Sequence, residues 1–273
     1  MDFRKIISQT DRYNFHSHTQ YCDGRADVDT MARAAVACGM EHYGFTPHSP
    51  IPFASPCNMD ADDVEAFLAD VERVRSQYAG SCRFYAGMEV DYIDASCGPA
   101  SSYFRELPLD YTIGSVHFIP DFEGEPVDID GHFDSFRRKM SDHFRRDIDY
   151  VVETYFAQSR AMIEAGGFDI LGHFDKVGQN ASAYAPGIED GNHYRSLVQG
   201  LIDMIVERDL TIELNTKARR EHGRFFPGER YMPQLVGAGI TILVNSDAHY
   251  PDRIESSRDE ALNILAALRH AHA

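Results

Sequence analysis

The sequence predicts a single α/β barrel, TIM-barrel-like in architecture. Three observations carry that expectation. Strand-like and helix-like segments alternate along the chain, the pattern of a parallel sheet wrapped by helices. Nine side chains of metal-ligating type lie at or just past the ends of six strand-like segments, where a barrel gathers its functional residues. A length of 273 residues, with 43% hydrophobic and 25% charged content, suits one barrel with a full core. An open doubly wound sheet is the alternative, and ligands delivered by so many separate strands favour closure. No internal repeat, low-complexity tract or interdomain linker interrupts the chain, so residues 1–273 are expected to form one domain.

The elements follow in order. Tyr13 to Phe15 reads as a short strand that delivers His16. Val28 to Cys38 is helical, with Gly39 as its stop. His42 to Thr46 is the second strand and precedes Pro47-His48 and a Pro-rich loop, Pro50 to Pro56. Asp60 to Tyr78 is a helix with Asp60 as N-cap and Val64, Phe67, Leu68, Val71 and Val74 at helical spacing. Arg83 to Val90 is the third strand, carrying Glu89; Ser101 to Glu106 is a short helix; Tyr111 to Phe118 is the fourth strand, carrying His117. Ile119 to Gly131 reads as a long loop at the barrel mouth. Asp147 to Ala165 is a helix stopped by Gly166-Gly167, and Phe168 to Gly172 is the strand before His173. His193 to Glu207 is a helix, Thr211 to Asn215 the sixth strand, Arg230 to Val236 a short helix, Ile240 to Asn245 the seventh strand, and Ser257 to His270 the last helix.

Net charge is −17. Such acidity disfavours nucleic acid and anionic membrane surfaces, because phosphate contacts need Lys and Arg. It leaves room for a small phosphorylated substrate, since metals and a few local cations can reverse the field inside one pocket. No apolar run approaches the roughly 18 residues of a membrane span. Met1-Asp2-Phe3-Arg4-Lys5 has no signal-peptide pattern, which gives the expectation of a cytoplasmic protein. The five cysteines Cys22, Cys38, Cys57, Cys82 and Cys97 form no C-x-x-C pair and read as free thiols. Cys22 falls inside the first ligand loop without being a candidate nucleophile.

The candidate ligands are His16, His18, Asp23, His48, Glu89, His117, His173, Asp247 and His249. Residues two apart on a strand share a face, so His16-Ser17-His18 and Asp247-Ala248-His249 can each aim two ligands into one cavity. Imidazole mixed with carboxylate suits zinc, iron or manganese rather than magnesium or calcium. Glu89, at a strand end between two His-bearing segments, is the natural bridge between ions. His132, His143, His193, His222, His270 and His272 have no partner at metal spacing and read as ordinary polar residues.

These segments resemble the PHP (polymerase and histidinol phosphatase) superfamily. The matching pieces are Phe15 to Thr19, Thr46 to Pro50, Gly87 to Asp91, Ile113 to His117, Gly172 to Asp175 and Asn245 to His249, in family order across nearly the whole chain. The histidinol-phosphatase branch is the most similar, through Ile113 to His117, Gly172 to Asp175, and Asn215-Thr216 followed by Arg219-Arg220. The resemblance implies a distorted (βα)7 barrel, the PHP fold, forming one metallophosphoesterase domain. It also implies two to three divalent transition metals. His16, His18, Glu89 and Asp247 would hold one, Glu89 with His117 and His173 a second, and Asp23, His48 and His249 a third. Two departures stand out: Asp23 replaces a common His, and Pro47 replaces a common Asp before His48.

A pair of such ions can clamp an oxyanion and activate a shared water for attack on phosphorus. The leaving alkoxide needs a proton, from Asp247 or a water, and His249 is placed with Asp247 as a candidate catalytic residue. Lys217, Arg219 and Arg220 follow the sixth strand on the metal face and are candidate phosphate contacts, with Arg220 favoured and Ser115 and Ser49 secondary. The expected activity is phosphomonoester hydrolysis, with L-histidinol phosphate as substrate in histidine biosynthesis. The acidic segment from Asp121 to Asp130 suits an amine-bearing substrate. A nucleotide or another small phosphate ester is the alternative, and a non-catalytic metal-binding module is a third reading that so complete a ligand set disfavours.

Overall fold

The computed structural model describes residues 1–272. Its strands are β1 Tyr13–Asn14, β2 His42–Phe45, β3 Arg83–Asp91, β4 Tyr111–Ser115, β5 Phe118–Pro120, β6 Pro126–Asp128, β7 Ile170–Leu171, β8 Ile212–Asn215 and β9 Ile242–Asn245. Seven of them form one parallel sheet in the order β1-β2-β3-β4-β7-β8-β9. The remaining seam, between β1 and β9, has no regular ladder. It closes through the Tyr13 hydroxyl, which receives the Val244 amide at 3.1 Å, and the Asn245 Oδ1, which receives the Phe15 amide at 2.9 Å. Past the strand ends a parallel bridge joins Ser17 to Ala248, with the His18 amide donating to the Ala248 carbonyl at 2.9 Å. The result is a distorted seven-stranded barrel with helices outside.

Period-two alternation sorts each strand. On β4, Tyr111, Ile113 and Ser115 share one face; on β3, Gly87 and Glu89 do; on β9, Leu243 and Asn245. Phe15, Tyr111, Ile113, Ile170 and Leu243 pack together in the lower barrel, below the polar groups. The opposite faces carry Met88 and Val90 of β3, Ile212 and Leu214 of β8 and Ile242 and Val244 of β9, which pack against the helices.

The barrel floor is closed by a helix the sequence reading did not include, Phe3–Ile7, capped by Asp2. Phe3 meets the rings of Phe15 and Tyr111 edge-on at 5.1 and 5.6 Å. Tyr111 crosses the interior and donates to the Phe15 carbonyl at 2.6 Å. Its ring occupies the space where side chains of Gly44 and Gly87 would project, so both strands need glycine there.

Other differences have local causes. The helix expected from Asp60 begins as a 3-10 turn, Ala61–Asp63, and becomes α-helical at Val64, with no capping hydrogen bond from Asp60. The expected fourth strand ends at Ser115, and the stretch read as a loop contains an antiparallel hairpin, β5 with β6. Asp121 turns it, accepting from the amides of Glu123 and Glu125 at 2.9 and 3.0 Å. Two three-residue strands with a proline in each left no readable alternation. Helices Phe133–Asp142 and Val177–Tyr184 were also missed.

Replacing Gly44 by Ala should cost about 1–3 kcal/mol through overpacking, measured by urea denaturation. Combining it with Tyr111→Phe, which removes the obstructing hydroxyl, should cost less than the sum of the single changes. Strict additivity would show that the ring is not the obstacle.

Candidate metal centre

The nine predicted ligands converge at the C-terminal mouth of the barrel. Ser17 is tied to β2, its hydroxyl donating to the Gly44 carbonyl at 2.8 Å and its amide to Thr46 Oγ1 at 3.0 Å. Alternation then turns His16 and His18 inward. At the other end of the closing bridge, Asp247 has a positive φ of 49°. That conformation costs a non-glycine residue about 1–3 kcal/mol and occurs in the turn that presents Asp247 and His249 together.

Glu89 is the centre, only 1% exposed. Its Oε1 accepts from the Ser115 hydroxyl at 2.7 Å and faces His173 Nε2 at 2.9 Å and His117 Nε2 at 3.5 Å. Its Oε2 faces His48 Nδ1 at 3.1 Å, His16 Nε2 at 3.2 Å and His18 Nε2 at 3.5 Å. Asp247 Oδ1 lies 3.0 Å from His18 Nε2 and 3.8 Å from His16 Nε2. Asp23 Oδ1 lies 3.1 Å from His249 Nε2, 3.6 Å from His18 Nδ1 and 3.9 Å from His48 Nε2. His18, Asp23, His48 and His249 thus offer ligand atoms within 4.8 Å of one another, as do His16, His18 and Glu89, and His48, Glu89 and His117.

The residues fit metal ions on an observation of their own. His16 Nε2, His18 Nε2, His48 Nδ1, Asp23 Oδ1 and Glu89 Oε2 are buried and form no proper hydrogen bond. Each such atom costs about 1–3 kcal/mol if left unpartnered. Five of them in one cavity call for cations.

Two carboxylates that the sequence reading gave no role hold the imidazoles in place. Glu213, fully buried on β8, faces His16 Nδ1 at 2.8 Å and accepts from the His173 amide at 3.1 Å. Asn215 and Asn245 donate to it at 3.0 and 3.1 Å. Asp91 faces His117 Nδ1 at 2.7 Å and accepts from Asn58 at 2.8 Å. Such partners fix ring orientation and raise ligand basicity. Glu213 could have been noticed as a charged residue between Ile212 and Leu214 in a buried strand.

Electrostatics follow from this crowding. Burial depresses His16, but Glu213, Glu89 and Asp247 together raise it well above its ordinary value. Burial likewise opposes the rise of His117, which Asp91 and Glu89 nevertheless bring to about 9. Burial, with His249 and His48, holds His18 well below its ordinary value. Burial would raise Glu89, yet His16, His48 and His117 hold it well below the usual carboxylate range. Cys22 Sγ lies 3.4 Å from His18 Nδ1, and burial pushes its thiol up to about 12, which keeps it from acting as a nucleophile.

The predicted phosphate contacts separate. Lys217 stays at the mouth, its Nζ 3.3 Å from Asp247 Oδ1 and 3.2 Å from His249 Nε2. Arg219 turns away, bound to Glu260 at 3.1 Å and Glu229 at 2.7 Å and stacked over Phe225. Arg220 is exposed and does not line the cavity. The short helix Arg219–His222 causes the split, because each helical residue rotates the chain by about 100°. Ser115 spends its hydroxyl on Glu89 and Ser49 accepts from the Asp91 amide at 3.1 Å, so both serve the ligands. The acidic hairpin is also engaged: Asp121 in its turn, Asp128 with Lys139 at 2.6 Å and Asp130 with Lys176 at 2.8 Å. The cavity beside the ligands has a volume of about 410 Å³ and is lined by Asp130, Lys176, Lys217, Asp247, His249 and Tyr250, among others. That is the size of a small-ligand site.

A family model described as the PHP domain matches residues 14–217. A probable histidinol-phosphatase of Deinococcus radiodurans is 23% identical, covering 88% of this chain and 86% of the relative. A histidinol-phosphatase of Bacillus subtilis is 26% identical, covering 86% and 92%. The structure of histidinol phosphate phosphatase from Lactococcus lactis, solved with zinc, L-histidinol and phosphate, superposes with a TM-score of 0.68 at 17% identity over 94% of each chain. It shares the fold.

Because Glu89 faces both halves of the ligand set, Glu89→Gln should lower bound metal more than Asp23→Asn, measured by elemental analysis of purified protein. Equal metal content in the two variants would count against a bridging Glu89. Glu213→Gln, which alters only a residue behind His16, should weaken metal binding by about ten- to a hundredfold.

Proposed function

We propose that this chain, which belongs to the PHP domain family, is a metal-dependent phosphomonoester hydrolase whose substrate is L-histidinol phosphate, releasing L-histidinol and phosphate. The convergence of nine ligands, five of them with buried unpartnered atoms, carries the metal-dependent part. The relatives carry the substrate: histidinol-phosphatases aligned over most of both chains, and a fold neighbour holding zinc, L-histidinol and phosphate.

Two to three divalent ions, zinc, iron or manganese, fit the site. His16, His18, Glu89 and Asp247 would hold one, Glu89, His117 and His173 another, and Asp23, His48 and His249 a third. When bound, such ions neutralise phosphoryl oxygens and bring water toward its reactive, deprotonated form.

The protein's own groups do the rest. Glu213, Asp91 and Ser115 hold the ligands fixed, so little reorganisation is needed during reaction. Lys217 presents an ammonium at the mouth, where an anionic substrate enters. The leaving alkoxide needs a proton, and Asp247 is a poor donor. Burial would raise it, but Lys217, His16 and His18 hold it well below the usual carboxylate range. His249 can donate only while the Asp23–His48–His249 set is without an ion, because a coordinating imidazole nitrogen carries no proton. A water at the mouth is the donor otherwise. The cavity's size suits a small ester, and the acidic chain disfavours long nucleic acid.

Steady-state kinetics with added zinc, manganese or iron provide the test. L-histidinol phosphate should be hydrolysed about tenfold or more efficiently than sugar phosphates, nucleoside monophosphates or single-stranded DNA ends, and chelation should abolish turnover. A nucleotide preferred by a similar margin would leave the hydrolase and remove the histidinol assignment.

A further inference from the structure

We propose that Lys176 is a phosphate-binding residue of this cavity, donating to phosphoryl oxygens while Asp130 serves as its buried counter-ion. The proposal rests on the phosphomonoester reading above and names a contact within it.

Lys176 sits one turn beyond His173, its amide donating to the His173 carbonyl at 2.9 Å. That turn puts its side chain in the same cavity as Lys217, Asp247 and His249. The chain has only four lysines, Lys5, Lys139, Lys176 and Lys217, against 22 arginines. Two of the four line this one cavity. Arg219, by contrast, is engaged with carboxylates elsewhere, and Arg220 lies outside.

Burial makes Lys176 unusual. Its side chain is 10% exposed, and Asp130, 2.8 Å away, is its one acidic partner within 4.0 Å among the described residues. An ammonium taken from water costs several kcal/mol unless its donors are met. It has three, and Asp130 is a single counter-ion. Burial works against the charge, but Asp130, Asp247 and Glu89 outweigh it and keep the group an ammonium.

The counter-ion is itself fixed. The Asp130 amide donates to Asp128 Oδ1 at 2.8 Å, the Ile129 amide to the His117 carbonyl at 2.9 Å, and Asn180 to the Ile129 carbonyl at 3.2 Å. The hairpin therefore delivers Asp130 from a segment hydrogen-bonded to the ligand His117. A pair needed only to pin the hairpin could be apolar, since replacing buried ion pairs by apolar groups is often neutral or stabilising. A cation with spare donors beside nine metal ligands is suited to the fourth face of a phosphoryl group, the side away from the ions.

The test uses the full chain loaded with zinc and inorganic phosphate as probe, by calorimetry and as an inhibitor of monoester hydrolysis. Lys176→Gln should weaken phosphate binding by about tenfold or more, raise KM more than it lowers kcat, and leave zinc content at the parent level. Lys176→Arg should retain most of the affinity. If the single change does not fold, Lys176→Gln with Asp130→Asn keeps an amide pair of similar size without buried charge, and the same loss is expected. Parental phosphate affinity in either Gln variant at full zinc content overturns the proposal, as does a parent protein that binds no phosphate. Lys176-dependent phosphate binding in a protein that does not turn over L-histidinol phosphate supports the assignment and removes only the substrate reading.

Discussion

Everything at the barrel mouth depends on one buried carboxylate. Glu89 is almost wholly removed from water, where an unpaired charge costs several kcal/mol. Its Oε1 is met by Ser115 and His173, while its Oε2 faces three imidazoles without a proper hydrogen bond. The chain satisfies half of this group and leaves the other half for cations. The demand spreads outward. Imidazoles that face Glu89 must have their far nitrogens held, so Glu213 stands behind His16 and Asp91 behind His117. Those carboxylates are buried in turn and recruit Asn215, Asn245 and Asn58. Parallel register delivers these groups together: Glu89 lies beside Ile113, Glu213 beside Leu243, and Asn215 beside Asn245. A slip of one residue would turn each of them to the outer face.

The lower barrel makes that network effective. Phe3, Phe15, Tyr111, Ile113, Ile170 and Leu243 fill the interior beneath the polar groups. Water has no path from below, so the charges of Glu213 and Glu89 are weakly screened and act strongly on their neighbours. The opposite displacements of His16 and His18, two residues apart, show how local this is. One ring has Glu213 against it; the other has His48 and His249. The Phe3 helix thus supports the chemistry by closing the end of the barrel remote from it.

The sequence made the ligands legible because strand ends repeat a simple rule. His-x-His and Asp-x-His can be read without knowing which strands are neighbours. The groups that hold the ligands could not be found that way. Glu213 and Asp91 matter only through His16 and His117, which are 197 and 26 residues away along the chain. Arg219 was misplaced for a related reason: proximity in sequence to Asn215 does not say which way a four-residue helix turns, and Glu229 and Glu260 compete for its guanidinium. The hairpin of β5 and β6 was hidden because its acidic residues read as solvated, whereas Asp121 is buried as the organiser of the turn. Barrel alternation, by contrast, was visible throughout, since most outer helices are long enough to show their apolar period.

The chain's acidity then takes on a direction. A net charge of −17 repels phosphate from most of the surface. Inside the cavity the sign must reverse, and the means are local: bound cations, with Lys176 and Lys217 beside them. Screening confines such a reversal to about 8–10 Å at physiological salt. A substrate with a phosphate at one end and an amine at the other, as in the reading proposed above, meets both signs at once. Its amine is drawn toward the acidic exterior and its phosphate toward the cationic floor, so the field orients the molecule phosphate-first before any specific contact forms. A dianion without the amine gains only the short-range part of that attraction. Discrimination therefore begins in the charge distribution of the whole protein, and the geometry around Glu89 completes it.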